Sequence, residues 1–147
     1  MSVPRKEIVH RETLQGLKIL VTDDNLINHM ATKQLLKNLG CQAIVVESGR
    51  QFLATLAQSR TMYKLVLLNL LMPEMDAYEV AIRIHKNIHP GRRPLIIALM
   101  ANTDKTTQDQ CLKIGMDGVV LKPVSLTEMS IKLYSILRRA RVYYNFR

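Results

Sequence analysis

The sequence predicts a doubly wound α/β domain in which five parallel strands alternate with five helices. Its apolar pattern switches repeatedly between short strand-like runs and stretches at helical spacing. The strand-like runs are near-continuous rather than alternating, which marks strands buried on both faces of a parallel sheet. Glycine or proline stands at several of the changes of pattern, including Gly40, Pro73, Pro94 and Gly115.

The elements follow in order. Lys18 to Thr22 is a short β-branched run and reads as the first strand. Asn25 to Leu39 carries Ile27, Met30, Ala31, Leu35, Leu36 and Leu39 at helical spacing, and Gly40 stops it. Ala43 to Val46 is the second strand, and Ser48-Gly49 opens a helix with Phe52, Leu53 and Leu56. Leu65 to Leu68 is the third strand; after Pro73 comes a helix with Val80, Ala81, Ile84 and Ile88. Leu95 to Leu99 follows Pro94 as the fourth strand, Thr106 to Ile114 is helical, and Val119 to Leu121 is the fifth strand. The last helix runs from Ser125 to about Arg141, with Ser125 and Glu128 spaced as a capping box. Residues 1–15 read as a linker or N-terminal extension, 16–141 as the domain and 142–147 as a tail.

A chain of 147 residues can bury one sizeable core. No apolar stretch approaches the roughly 18 to 20 residues that cross a bilayer, and the N-terminus lacks the apolar centre of a signal peptide. Cys41 and Cys111 stand far apart without CxxC spacing, so free thiols in a reducing compartment are expected. The formal charge of +9 is spread along the chain, with one cluster at Arg138, Arg139, Arg141 and Arg147. No nucleic-acid-binding signature accompanies it, so nucleic acid is not an expected partner.

In open α/β sheets, sites lie beyond the carboxyl ends of the strands. Those ends carry Asp23-Asp24, Asn69, Met100-Ala101-Asn102 and Lys122-Pro123. Two adjacent carboxylates suit a hard cation such as Mg²⁺, although Asp24 or Asn25 could instead cap the following helix. Lys122 projects an ammonium over the crevice, toward a phosphoryl oxygen, an aspartate or solvent. His85 and His89 are four apart on a helix without a third ligand, so a solvated face is favoured over metal binding. Met72, Met75, Met116 and Met129 read as packing residues. Tyr143 and Tyr144 lie beyond the last helix, either folded back or docking a partner.

The segments LKILVTDDN, LVLLNLLMPEMDAYEV, RPLIIALMAN and GMDGVVLKPVSL together resemble the receiver domain of two-component signalling, over about Gly16 to Leu137. RIHKNIHPGRRPLIIAL, ANTDKTTQDQCLKIGMDGVVLKPVSL and the trailing RVYYN resemble more narrowly the receiver of plant ethylene-receptor hybrid histidine kinases. The resemblance implies a flavodoxin-like sheet of order 2-1-3-4-5. It also implies a phospho-accepting aspartate after strand three and a Mg²⁺ held by acids after strand one. A hydroxyl residue after strand four, a lysine after strand five and an aromatic rotor three residues before that lysine complete the family's set.

Asp23, Asp24 and Lys122 match this pattern. Asn69 stands at the phospho-acceptor, Met100 at the hydroxyl and Val119 at the rotor, while Ala77 replaces a turn glycine beside Asp76. A neutral carboxamide is a poor nucleophile toward phosphorus. The metal set of Asp23, Asp24 and Asn69 holds two carboxylates and a carbonyl, so at most weak Mg²⁺ binding is expected and no other cofactor. The expectation is a non-enzymatic pseudo-receiver that docks proteins. Its partners would be the receptor's kinase region, a downstream protein kinase or phosphotransfer proteins, with homodimers left open and no membrane contact required. The domain would be cytosolic, in a parent anchored in the endoplasmic reticulum membrane. The docking surface would be the crevice with the first helix, or the face of the last strand and last two helices. The rival is a phosphorelay receiver accepting phosphate on Asp23, Asp24 or Asp76. A flavin protein is disfavoured, because TDDN is acidic where a phosphate cradle needs glycine and backbone donors.

Overall fold

The computed structural model describes residues 14–58, 63–70, 76–101, 104–122 and 124–145, with side chains to Arg139. Strands β1 (Lys18–Thr22), β2 (Gln42–Val46), β3 (Leu65–Asn69), β4 (Leu95–Met100) and β5 (Gly118–Leu121) form one parallel sheet of order β2-β1-β3-β4-β5. Helices α1 (Leu26–Asn38), α2 (Gly49–Gln58), α3 (Ala77–Asn87), α4 (Lys105–Ile114) and α5 (Leu126–Asn145) join and flank the strands. The fold class and strand order are those expected.

Alternation along the strands divides the core in two. Leu20, Val66, Leu68, Ile96 and Ala98 pack with Phe52 of α2, Val80 and Ile84 of α3 and Cys111 of α4. Ile19, Val21, Leu67, Ile97 and Leu99 face the other way, onto Leu36 of α1 and Met129, Leu133 and Ile136 of α5. Each fully buried side chain of this kind contributes about 1.5–3 kcal/mol of transfer free energy. Cys41 and Cys111 are free and buried in opposite layers, with the sheet between them. Burial pushes the Cys41 thiol up to about 11. Met116 and Met129 are core residues, as expected; Met72 and Met75 lie outside the described residues.

Four expectations need correction. The domain begins earlier than Gly16: Leu14 is buried in the core, and its carbonyl accepts from the Cys41 thiol (3.6 Å) and from Leu17 N–H (3.0 Å). Gly16 N–H then donates to Gly40 O at 2.8 Å, fastening the entry of β1 to the end of α1. The last helix runs to Asn145, so Tyr143 and Tyr144 stand inside it rather than beyond it; their side chains are not described. β2 is an edge strand and only partly covered, because an edge has a neighbour on one side alone.

The fourth correction concerns His85 and His89, which do not form a solvated face. His85 Nε2 lies 3.0 Å from Gly115 O, and donates there because a carbonyl can only accept. His89 caps a 3-10 turn, Pro90–Arg92, by accepting from Gly91 N–H at 3.1 Å. Arg93 closes the end of α3 by donating to the carbonyls of Ile88 and His85. His10 lies outside the described residues.

Candidate functional site

The crevice is set by where the strands stop. Asp23 follows β1 directly, and its N–H donates to Val46 O at 2.9 Å, extending the β1–β2 ladder by one bond. Asn25, not Asp24, caps α1: its side chain accepts from Asn28 N–H at 3.0 Å. Asp23 therefore turns inward and is buried, while Asp24 is exposed. Asp23 Oδ1 accepts from Asn25 N–H at 3.0 Å. Asp23 Oδ2 is buried without a hydrogen-bond partner.

Asn69 ends β3 in register with Leu99 of β4 and is buried. Its N–H donates to Thr22 Oγ1 at 3.0 Å, a contact between central strands that no sequence motif announced. The side chain is engaged at both ends. Oδ1 accepts from Lys122 Nζ at 3.0 Å, and Nδ2 donates to Asp23 Oδ1 at 3.4 Å. A carboxamide can do both at once; a carboxylate can only accept. Asn69 thus bridges the ammonium of β5's exit to the carboxylate of β1's exit. Lys122 is half-buried and anchored by its own N–H to Met100 O at 2.8 Å.

Met100 is buried against the α2–α4 side of the sheet, and Val119 packs beside that cluster. Asp76 is the N-cap of α3, accepting from Glu79 N–H at 2.9 Å, and is exposed. Asn102, Thr103, Pro123 and the segment 71–75 lie outside the described residues.

Asp23, Asn69 and Lys122 are therefore in one hydrogen-bonded row, with Asp24 beside it in sequence on the solvent side. The profile of the response regulator receiver domain matches residues 19–134, spanning all five strands and this row. The chain belongs to the receiver domain family. This receiver is 38% identical over 123 residues to ethylene receptor 2 of Oryza sativa subsp. japonica. That match covers 84% of the chain but only 16% of the rice protein's length. Solved receiver structures share the fold. A receiver domain protein from Clostridium thermocellum superimposes with TM-score 0.76 at 24% identity, covering 86% of this chain and 98% of the other. The receiver domain of a LuxO-type repressor protein from Vibrio parahaemolyticus gives TM-score 0.76 at 20% identity, over 90% and 98% of the two chains.

The receiver family's phospho-site carries Mg²⁺, and the residues here fit that ion in part. The buried, unpartnered Asp23 Oδ2 is the kind of oxygen a hard cation satisfies, and Asp24 can add a second. The third oxygen, Asn69 Oδ1, is neutral and already faces the Lys122 ammonium. Among the described residues no three His, Cys, Asp or Glu side chains gather as a metal cluster. The donor set therefore suits a largely hydrated, weakly held Mg²⁺.

Proposed function

We propose that this receiver is a pseudo-receiver, a docking module in ethylene-receptor-type signalling that does not accept a phosphoryl group. One observation carries the reading: Asn69 stands at the end of β3 with both ends of its carboxamide committed, Oδ1 to Lys122 and Nδ2 to Asp23. A carboxamide has no anionic oxygen to attack phosphorus. Met100 supplies no hydroxyl to hold a transferred group, and Val119 no ring to report it. The domain is then non-enzymatic.

A docking role is supported by α1. Leu26, Ile27 and Met30 begin this helix with exposures of 69%, 78% and 66%. The helical spacing seen in the sequence suggested a buried apolar face, yet of that set only Leu36 is fully covered. An apolar patch next to the crevice, rimmed by the exposed Asp24 and Lys33, fits a helical protein surface. The partners would be the receptor's own kinase-like region, a downstream protein kinase or a phosphotransfer protein. The similarity to the rice receptor supports a plant parent held in the endoplasmic reticulum membrane, with this domain in the cytosol.

The test is a titration with Mg²⁺ and beryllofluoride, a phosphoryl mimic, followed by amide NMR shifts on the protein and on Asn69→Asp. The expected result is no beryllofluoride-dependent shift in the natural protein. Saturable shifts at Asp24, Lys122 and the β4–α4 loop would sink the pseudo-receiver reading and favour phosphate acceptance on another aspartate.

A further inference from the structure

The two ends of the sheet carry opposite charge. At the crevice end stand Asp23, Asp24 and Glu47 after β1 and β2, the N-caps Asp76 and Asp104, and Glu128 in the first turn of α5. At the far end, where strands begin and helices finish, the exposed charges are basic. Lys18 opens β1, Lys64 immediately precedes β3, and Arg92 closes the turn before β4. The β1–β3 register, Ile19 opposite Leu65, sets Lys18 and Lys64 side by side. Leu95 N–H donates to Lys64 O at 2.9 Å, which draws the Arg92 turn to the same edge. Lys37, Lys86 and Lys113 occupy the last turns of α1, α3 and α4.

Arg139 of α5 reaches the same end, where its charge acts on Asp117. Asp117 is the one acid there among the described residues, and its carboxylate is turned onto Ile96 N–H at 2.8 Å.

Helix dipoles account for part of this pattern, since cations favour the last turns and acids the first. They do not account for Lys18, Lys64 and Arg92, which stand at strand entrances. Like charges on neighbouring strands are destabilising unless something anionic meets them.

We propose that this basic end docks on the headgroups of an anionic lipid membrane, leaving the crevice and the apolar face of α1 turned away from it. The cations come from separate segments spread across the sheet end and both helix layers. They converge on no groove and no single point. A fluid two-dimensional anionic surface can meet such an array by rearranging its own lipids, whereas an acidic protein or a nucleic acid has to match fixed positions. Both chain ends of the described unit also leave from this side: Leu14 enters β1 here, and α5 runs out past it. Composition alone gave no reason to expect membrane contact, because it does not show where the charges stand.

The test is flotation of this chain with phosphatidylcholine vesicles, with and without phosphatidylserine, at physiological ionic strength. Two triple variants are compared. Lys18→Glu, Lys64→Glu and Lys113→Glu reverse the far end. Lys33→Glu, Arg50→Glu and Lys105→Glu reverse exposed cations elsewhere. Both triples lower the formal charge from +9 by two units per substitution, and amide spectra check that both fold. The expected result is phosphatidylserine-dependent binding that falls about a hundredfold in the first triple, at about fivefold per cation, and stays within about threefold in the second. Equal loss in both triples would reduce the effect to net charge and overturn the proposal. So would absence of binding to phosphatidylserine vesicles. A third contrary result is tighter binding to duplex RNA than to vesicles, lost in the first triple, which would assign the face to nucleic acid.

Discussion

Replacing Asn69 by aspartate restores the family's phospho-acceptor, and the structure indicates that it would weaken the fold unless a divalent cation is supplied. The new carboxylate would lie 3.0 Å from Lys122 Nζ and 3.4 Å from Asp23 Oδ1. At an effective dielectric near 20, the first contact gains about 5.5 kcal/mol and the second costs about 5 kcal/mol. The two nearly cancel. What remains is the lost Nδ2 donation, added repulsion from Asp24, and the cost of placing a further charge at a buried position, together about 1–3 kcal/mol. Mg²⁺ would return about 1.4 kcal/mol at a concentration tenfold above its Kd. Urea denaturation of both proteins, in chelator and in Mg²⁺, measures this directly. Asn69→Asp should be less stable in chelator and should gain more from Mg²⁺ than the natural protein does. A variant as stable as the natural chain in chelator, and indifferent to Mg²⁺, would show that the carboxamide bridge contributes nothing.

Three further outcomes are expected. Gly115→Ala should cost about 1–3 kcal/mol, because Gly115 has φ +112° and a Cβ there would meet His85 Nε2 at 2.6 Å; a double-mutant cycle with His85→Ala should show strong non-additivity in urea melts. Stability should fall with alkaline pH, because burial raises the folded Cys41 thiol to about 11 from its ordinary 9.0. The contribution is intact below pH 9 and is lost at roughly 1.4 kcal/mol per unit as pH rises toward 11; Cys41→Ala should flatten that slope. On α1, Ile27→Glu should leave stability within about 0.5 kcal/mol, while Leu36→Ala should cost about 2–5 kcal/mol. A large penalty for Ile27→Glu in thermal or urea melts would mean that the face is packed rather than free.

Most of the topology was readable because parallel strands leave a coarse mark. Leu65 to Leu68 and Leu95 to Leu99 are apolar without alternation, and only strands covered on both faces read that way. Boundaries set by local chemistry were readable too: Gly40 and Gly115 both have positive φ, and Ser125 Oγ accepts from Glu128 N–H at 3.0 Å. Exposure on α1 was not readable, since Ile27 and Met30 have the spacing of a buried stripe and only the tilt of the helix on the sheet leaves them out. The histidines were misjudged for a related reason. His85 finds its acceptor thirty positions away at Gly115, and a lone ring on a helix carries no trace of a distant carbonyl. At the site, residue identities marked the row of Asp23, Asn69 and Lys122. They could not show that Asn69 would spend its carbonyl on Lys122 and its amide on Asp23, because that depends on where three strands stop.

The attachment of β1 has a mechanical consequence. This strand lies between β2 and β3, with parallel ladders on both sides, and the chain enters it through the buried Leu14 and the Gly16–Gly40 clasp. Tension arriving from the N-terminal side is directed along the strand axis, so both ladders are sheared together and no bond is unzipped singly. Tension arriving from the C-terminal side meets α5, a helix held on one face only by Met129, Leu133 and Ile136. The domain is thus stiff toward whatever precedes it in the chain and compliant toward whatever follows, and a pull between its two ends would strip α5 before β1 moved.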